Sequence, residues 1–263
     1  MKSLLLSLLA FLALAAHTSC VTATASERSM RAGTFSALSV VGSLPVELRQ
    51  FPDSAGRVNI YASERALPGV AVTCTDGTLS ISYKAENPLH NYATEVQSVV
   101  VYCGRDLRQI NLTGSGSVKA TGVNISTELT VVATGSGSVK LVAPHCLNLT
   151  ASLTGSGSML LDAVKARNVS TSVTGSGSMK VAALDATAFN CTLCGSGRAS
   201  VAGHADKSSL ALRGSGSLNA TELGSGSLSI SVSGSGAIRY NTATANIKTV
   251  SGRIDGRGKA SNI

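Results

Sequence analysis

The stretch Leu149–Val164 reads LTASLTGSGSMLLDAV, and its central Gly-Ser-Gly returns along the second half of the chain. It begins at Gly114, Gly135, Gly155, Gly175, Gly195 and Gly214, in steps of 21, 20, 20, 20 and 19 residues, and then at Gly224 and Gly234 in two steps of ten. Self-similarity at a fixed period near twenty is the signature of a solenoid, in which each repeat buries its apolar side against its neighbours. The two final steps of ten divide the unit of twenty into two tens, with only one corner of most coils keeping its glycines.

Laid over one another, the tens share a second regularity. Leu228, Ile230 and Val232 follow one glycine corner; Val139, Leu141 and Ala143 follow another, and the partner half supplies Leu149, Ala151 and Leu153. Met159, Leu161 and Ala163 continue the series, then Val169, Thr171 and Val173, then Met179, Val181 and Ala183, then Phe189, Cys191 and Leu193. A period of two is that of a strand with one buried face. The class is therefore all-β, with two strands per coil of about 20 residues and parallel ladders about 4.8 Å apart. From Gly114 onward this gives about seven and a half coils, a stack of roughly 36 Å. Glycine at the corners permits positive φ and close approach of neighbouring coils, and the intervening serine is expected to cap local backbone groups. A flexible Gly/Ser linker shares the composition but has no reason to hold apolar residues in register.

Ahead of the repeats, FSALSVVG, LPVELRQ, RVNIYAS, VAVTC, TLSISYK and QSVVVYC read as strands. Thr75-Asp76-Gly77-Thr78 predicts a hairpin in which Cys74 faces Leu79 and Val72 faces Ile81. Residues 35–103 are thus expected to form irregular coils or a β cap on the same core as the repeats over 104–263. The polar end SGRIDGRGKASNI is expected to blunt the far end of the stack.

Lys2 followed by the apolar run Leu4–Ala16 has the layout of a secretory leader, too short to span a membrane comfortably. Two processing sites compete: Ala23-Thr24-Ala25, giving a leader of residues 1–25, or Ser19-Cys20, giving a leader of 1–19 and an acylated Cys20. Either way the mature chain is exported, secreted or tethered at the cell surface, and no later segment reads as a transmembrane helix. The formal charge is +8, with five tyrosines, four phenylalanines and no tryptophan. A basic chain so short of stacking side chains is not expected to bind nucleic acid. Cys74, Cys103, Cys146, Cys191 and Cys194 have irregular spacing that forces no disulfide framework, and Cys74 with Cys103 fits a bridge or two buried thiols equally.

FSALSVVG, TLSISY and VVVYCGRDLRQINLTGSGSV, with the recurring Leu-Thr-Gly-Ser-Gly-Ser, resemble the head GIN domain family of autotransporter-adhesin-like proteins over nearly the whole mature chain. The resemblance implies a right-handed parallel β-helix, an exported location and a role in adhesion. It implies no catalytic residues, because the family has none agreed.

The residues themselves offer little for catalysis. The fourteen Asp and Glu are scattered, so no pair is poised for general acid–base work. The turns hold serine where a calcium-binding β-roll needs aspartate, and no hexapeptide period is present. Cys191 and Cys194 would point to opposite faces of a strand, and no second cysteine or histidine pair sits at ligand spacing, so no metal or cofactor is expected. His145 and His204 read as solvated corner residues.

Two outward surfaces remain. One carries Lys119, Lys140, Leu160, Lys180, Ser200, Asn219 and Arg239, a broken basic row whose Lys119, Lys140, Lys180 and Arg239 are candidate contacts for an anionic glycan or phosphate headgroup. The other reads Thr150, Ser152 and Thr154, then Ser170, Ser172 and Thr174, then Asn190 and Thr192, a hydroxyl array suited to carbohydrate or ice, or simply to solubility. Asn-x-Ser/Thr sequons stand at Asn111, Asn124, Asn148, Asn168, Asn190 and Asn219, glycosylation candidates if the host is eukaryotic. The expected function is a non-enzymatic exported surface protein binding surface glycans or other envelope components. A polysaccharide-active β-helix enzyme and a purely structural envelope component are the alternatives.

Overall fold

The computed structural model describes residues 26–84, 92–125, 127–242 and 249–263; the leader and Cys20 lie outside them. The strands in chain order are β1 Ser26–Arg31, β2 Ala37–Gly42, β3 Pro45–Gln50, β4 Arg57–Ala62, β5 Val70–Thr75, β6 Thr78–Tyr83 and β7 Val96–Cys103. Then come β8 Gln109–Gly114, β9 Ser117–Thr121, β10 Glu128–Gly135, β11 Ser138–Val142, β12 His145–Gly155, β13 Ser158–Asp162 and β14 Lys165–Gly175. The long β15 Ser178–Gly195, β16 Arg198–Gly214 and β17 Ser217–Gly234 each run round a corner, and β18 Ala237–Tyr240, β19 Thr249–Gly256 and β20 Lys259–Asn262 finish the chain.

These strands build a parallel β-solenoid. A first sheet stacks β2, β8, β10, β12, β14, the C-terminal parts of β15, β16 and β17, and β19. A second sheet stacks β3, β9, β11, β13, the N-terminal parts of β15, β16 and β17, then β18 and β20. The apolar alternation is the cause. Leu149, Ala151 and Leu153 are buried, as are Phe189, Cys191 and Leu193, in one continuous core. Thr171 enters the same column with its hydroxyl donating to the Asn190 carbonyl at 3.2 Å, so its burial leaves no polar atom unpaired.

Each coil passes from the first sheet to the second through the Gly-Ser-Gly corner. Gly155 has φ +115, and a Cβ there would stand 2.4 Å from the Gly135 carbonyl oxygen; on Gly157 it would stand 2.3 Å from that of Gly137. Two glycine columns therefore serve close stacking, only the first of them through backbone conformation as well. The grip between corners is main-chain. Ser156 and Gly157 both donate their N–H to the Gly135 carbonyl at 3.0 Å, and Ser158 donates to Gly137. The serine hydroxyls expected to cap the corner belong to exposed residues instead. Gly42 stacks on Gly114, so β2 and β3 already form a coil of the same kind without the full motif.

The other corner corrects one part of the sequence reading. Ala143, Ala163 and Ala183, expected to face inward, take positive φ values of 51°, 50° and 54° and turn out of the core. A residue in the left-handed region reverses the alternation, so the next side chain points inward: Pro144, Val164 and Leu184 are the buried ones. A short third ladder follows, with His145, Lys165, Asp185, His204 and Gly224 in register along its outside. Gly224, the odd member of the ten-residue steps, belongs to this ladder.

The N-terminal strands close one end. In the first sheet β6 adds parallel to β2, and β5 pairs antiparallel with β6 across Asp76 and Gly77, at φ 50° and 69°. Val72 faces Ile81 and Cys74 faces Leu79, as the hairpin signal predicts. In the second sheet β7 adds parallel to β3, followed by β4 and β1 in antiparallel pairs. Antiparallel outer strands end the parallel ladder on a different hydrogen-bond pattern.

Candidate functional site

The outer face of the second sheet is built from three columns of side chains, because alternate residues of every strand point outward and parallel register repeats them coil after coil. The middle column runs Glu47, Lys119, Lys140, Leu160, Lys180, Ser200, Asn219, Arg239 and Ser261. The four basic residues singled out from the sequence thus share one ladder, and all four are exposed. One flanking column carries Ser138, Ser158, Ser178, Arg198, Ser217, Ala237 and Lys259. The other carries Arg49, Thr121, Val142, Asp162 and Ala182, with Ala202 and Glu222 further on.

Sequence reasoning missed charged members of this face, Glu47 and Arg49 at one end and Arg198 and Lys259 further along. Arg198 and Lys259 lie at positions where most coils have serine, so spacing alone gave no reason to add them to the row. Glu47 lies before the first Gly-Ser-Gly, outside the repeat that defined the row. Its carboxylate accepts from Arg49 at 3.0 Å and stands 3.9 Å from the Lys119 ammonium. Glu47 raises the Arg49 pKa through their hydrogen bond first and charge second.

The first sheet is chemically different. Thr113, Thr134, Thr154 and Thr174 form a column beside the corner, next to Asn111, Val132, Ser152, Ser172 and Thr192. Its outward charges are Lys207, Arg213 and Arg253 against Glu128 and Asp255, and Arg253 is paired with Asp255 at 2.9 Å. The sequon asparagines divide between faces. Asn148 and Asn168 are exposed here and joined, Nδ2 of Asn168 donating to Oδ1 of Asn148 at 2.8 Å. Asn190 is exposed two places further along the strand, Asn111 is half-buried, and Asn219 is exposed on the second sheet. Asn124 pairs with His145 in an isolated bridge and donates its backbone N–H to Gln50 at 2.8 Å.

The third ladder brings together residues that the sequence left apart. His145, Lys165, Arg167, Asp185, His204 and Asp206 surround an open depression of about 400 Å³, and His204 lies 3.6 Å from Asp206. Opposite charges neighbour one another across the rungs, as Lys165 does Asp185.

Cys103, Cys146 and Cys191 are buried free thiols, each pushed up to about 11 by loss of hydration. Cys74 and Cys103 are unbridged. Cys191 points inward and Cys194 outward, and among the described residues no group of three or more His, Cys, Asp or Glu could hold a metal ion. Among the same residues no helix is long and apolar enough to cross a membrane.

Stacked coils, a glycine corner and flat ladder faces define a β-solenoid. The chain belongs to the family described as "Putative auto-transporter adhesin, head GIN domain", whose model matches residues 34–163 and again 151–261. Solved structures share the fold. A "Putative lipid binding protein" from Parabacteroides distasonis is 23% identical with a TM-score of 0.73, over 91% of this chain and 96% of that one. A "putative adhesin" from Parabacteroides merdae is 18% identical with a TM-score of 0.71, over 91% and 96%. Another from Bacteroides fragilis is 19% identical with a TM-score of 0.66, over 91% and 97%. No curated protein matches the chain significantly in sequence.

Proposed function

We propose that the protein is a non-enzymatic cell-surface binding protein whose second sheet holds an anionic partner, a surface glycan or other envelope component, through Lys119, Lys140, Lys180 and Arg239. The observation that carries the reading is the shared ladder: four cations of one sign stand exposed in one column of a rigid sheet. A family described as adhesins, and a similar fold described as lipid binding, agree with a surface role. Export is assigned to the leader over 1–25, or 1–19 with Cys20 lipidated, and residues 35–103 serve as irregular coils and cap of the repeat body over 104–263. Binding is multivalent. Cations two or more coils apart are separated by about a Debye length at physiological salt, so contacts at that separation contribute nearly independently and weakly, whereas Lys119 and Lys140 on adjacent rungs act together. The competing enzymatic reading needs converging carboxylates; Asp185 and Asp206 share the open depression of the third ladder with His145 and His204, while the other acids named above are divided between the two sheets.

The test is a glycan array probed with the chain from Ser26 at low and physiological salt. Salt-sensitive capture by acidic glycans, lost in the Lys119→Ala, Lys140→Ala, Lys180→Ala triple variant, supports the reading. Capture unchanged in the triple variant, or no capture at low salt, overturns it.

A further inference from the structure

The charges of the second sheet have an axial period of their own. Counting rungs from β2–β3 as the first, the fourth is β12–β13 and the seventh joins the end of β16 to the start of β17. Lys119 and Lys140 occupy rungs two and three, Lys180 and Arg198 rungs five and six, Arg239 and Lys259 rungs eight and nine. The acids fall in the gaps: Glu47 in rung one, where Arg49 pairs with it, Asp162 in rung four and Glu222 at the far edge of rung seven. Cation doublets therefore recur every three rungs, a spacing of about 14 Å. The rungs between are not apolar throughout. Ser158 in rung four and Ser217 and Asn219 in rung seven are neutral donors and acceptors in the same two columns, and Ser178, Ser200 and Ser261 stand beside the cations of the doublet rungs.

We propose that this face is a charge ruler for a linear acidic polysaccharide lying along the solenoid axis; the proposal rests on the binding role assigned above and names its ligand class. Three features select that chemistry. A sugar residue in an extended chain advances by close to one rung, so successive carboxylates arrive in step with successive strands. The hydroxyl and amide side chains around the doublets match the neutral hydroxyls between carboxylates, which a bare polyphosphate lacks. No aromatic ring stands among the cation doublets, and the rings in line with these columns, Tyr102 next to Arg49 and Phe51 against Tyr102, lie at the capped end, so a single-stranded nucleic acid finds no run of stacking platforms along the basic row. With one carboxylate per rung, two in three face a cation doublet and the third faces a rung that holds an acid, so affinity accrues per doublet, every three sugars, and not per sugar.

The experiment uses size-defined oligogalacturonates and, as a comparison of equal charge, inorganic polyphosphate, with the chain from Ser26 in low salt. Wild-type affinity is expected to rise in steps three sugars apart, and oligogalacturonate is expected to bind more tightly than polyphosphate. The variant K140L/L160K keeps the net charge but moves one cation from rung three into rung four. It is expected to bind about fivefold more weakly, the scale of one exposed charge contact. N219K/R239N does the same at rungs seven and eight with polar, exposed residues only, and guards against a folding defect in the first variant. Wild-type affinity in both variants, with binding still lost in the triple alanine variant, overturns the ruler and leaves the basic row standing. Polyphosphate binding as tightly as oligogalacturonate overturns the polysaccharide assignment, and failure of wild type to bind either polymer overturns both readings.

Discussion

Gly155 lies so close over Gly135 that an added Cβ would come within 2.4 Å of the Gly135 carbonyl oxygen. The same carbonyl accepts two amide hydrogen bonds from the coil above, so it cannot move aside without breaking them. Gly155→Val is therefore expected to cost about 3 kcal/mol, combining left-handed strain with overpacking. Gly42, at φ +101 with nothing within 4 Å of its Cβ position, isolates the strain alone. Thermal melts should rank Gly155→Val well below Gly42→Ala, with Lys140→Ala near wild type. Equal small shifts in all three would contradict the stacking account.

Ala143, Ala163 and Ala183 test the opposite corner. The next coil, one residue shorter here, turns by another path, with Gly203 at φ 122° in register with Leu184, so the left-handed turn at 50–54° belongs to these three alanines. Left-handed strain exceeds the entropic cost of glycine, so the triple Ala→Gly variant is expected to gain about 1 kcal/mol. A fall in melting temperature would show that the alanine methyls pack usefully.

The buried thiols set an alkaline limit. Burial raises Cys103, Cys146 and Cys191 from 9.0 to about 11, so the folded state favours the protonated thiol. Their contribution is complete below pH 9.0 and is lost as pH rises toward about 11. The wild-type melting temperature should fall across this window, and Cys191→Ala should flatten the fall after correction for its lower starting value. An identical pH slope in the variant would refute the assignment.

Glu47 offers a gain of function. Its carboxylate engages Arg49 and neighbours Lys119. Glu47→Gln is expected to raise affinity for a polyanion about two- to fivefold while changing stability by less than about 0.5 kcal/mol, since exposed pairs contribute little. Titration calorimetry with oligogalacturonate checks it; weaker binding would place Glu47 on the ligand side of the contact.

How far these features could be read in advance depended on periodicity. Leu149, Ala151 and Leu153 declare a buried strand face by their own alternation, and the fixed Gly-Ser-Gly step aligns one coil with the next. That was enough to put Lys119, Lys140, Lys180 and Arg239 in one row. The slip at Ala143, Ala163 and Ala183 was hidden because left-handed alanine carries no sequence mark, and the short third ladder behind it was hidden with it. Glu47, Arg198 and Lys259 escaped for a related reason: each stands where the repeat is absent or changes residue type, so only the three-dimensional register shows its neighbours.

The central claim is that one face binds and the other does not, and equal charge removal from both tests it most directly. Lys119→Ala, Lys140→Ala, Lys180→Ala takes three cations from the second sheet; Lys207→Ala, Arg213→Ala, Arg253→Ala takes three from the first. Affinity for oligogalacturonate at low salt should fall about tenfold or more in the first variant, a loss of about 1.4 kcal/mol. In the second it should stay within about twofold of wild type. Equal losses would mean that net charge alone governs binding, and the assignment of function to the lysine-bearing sheet would be wrong.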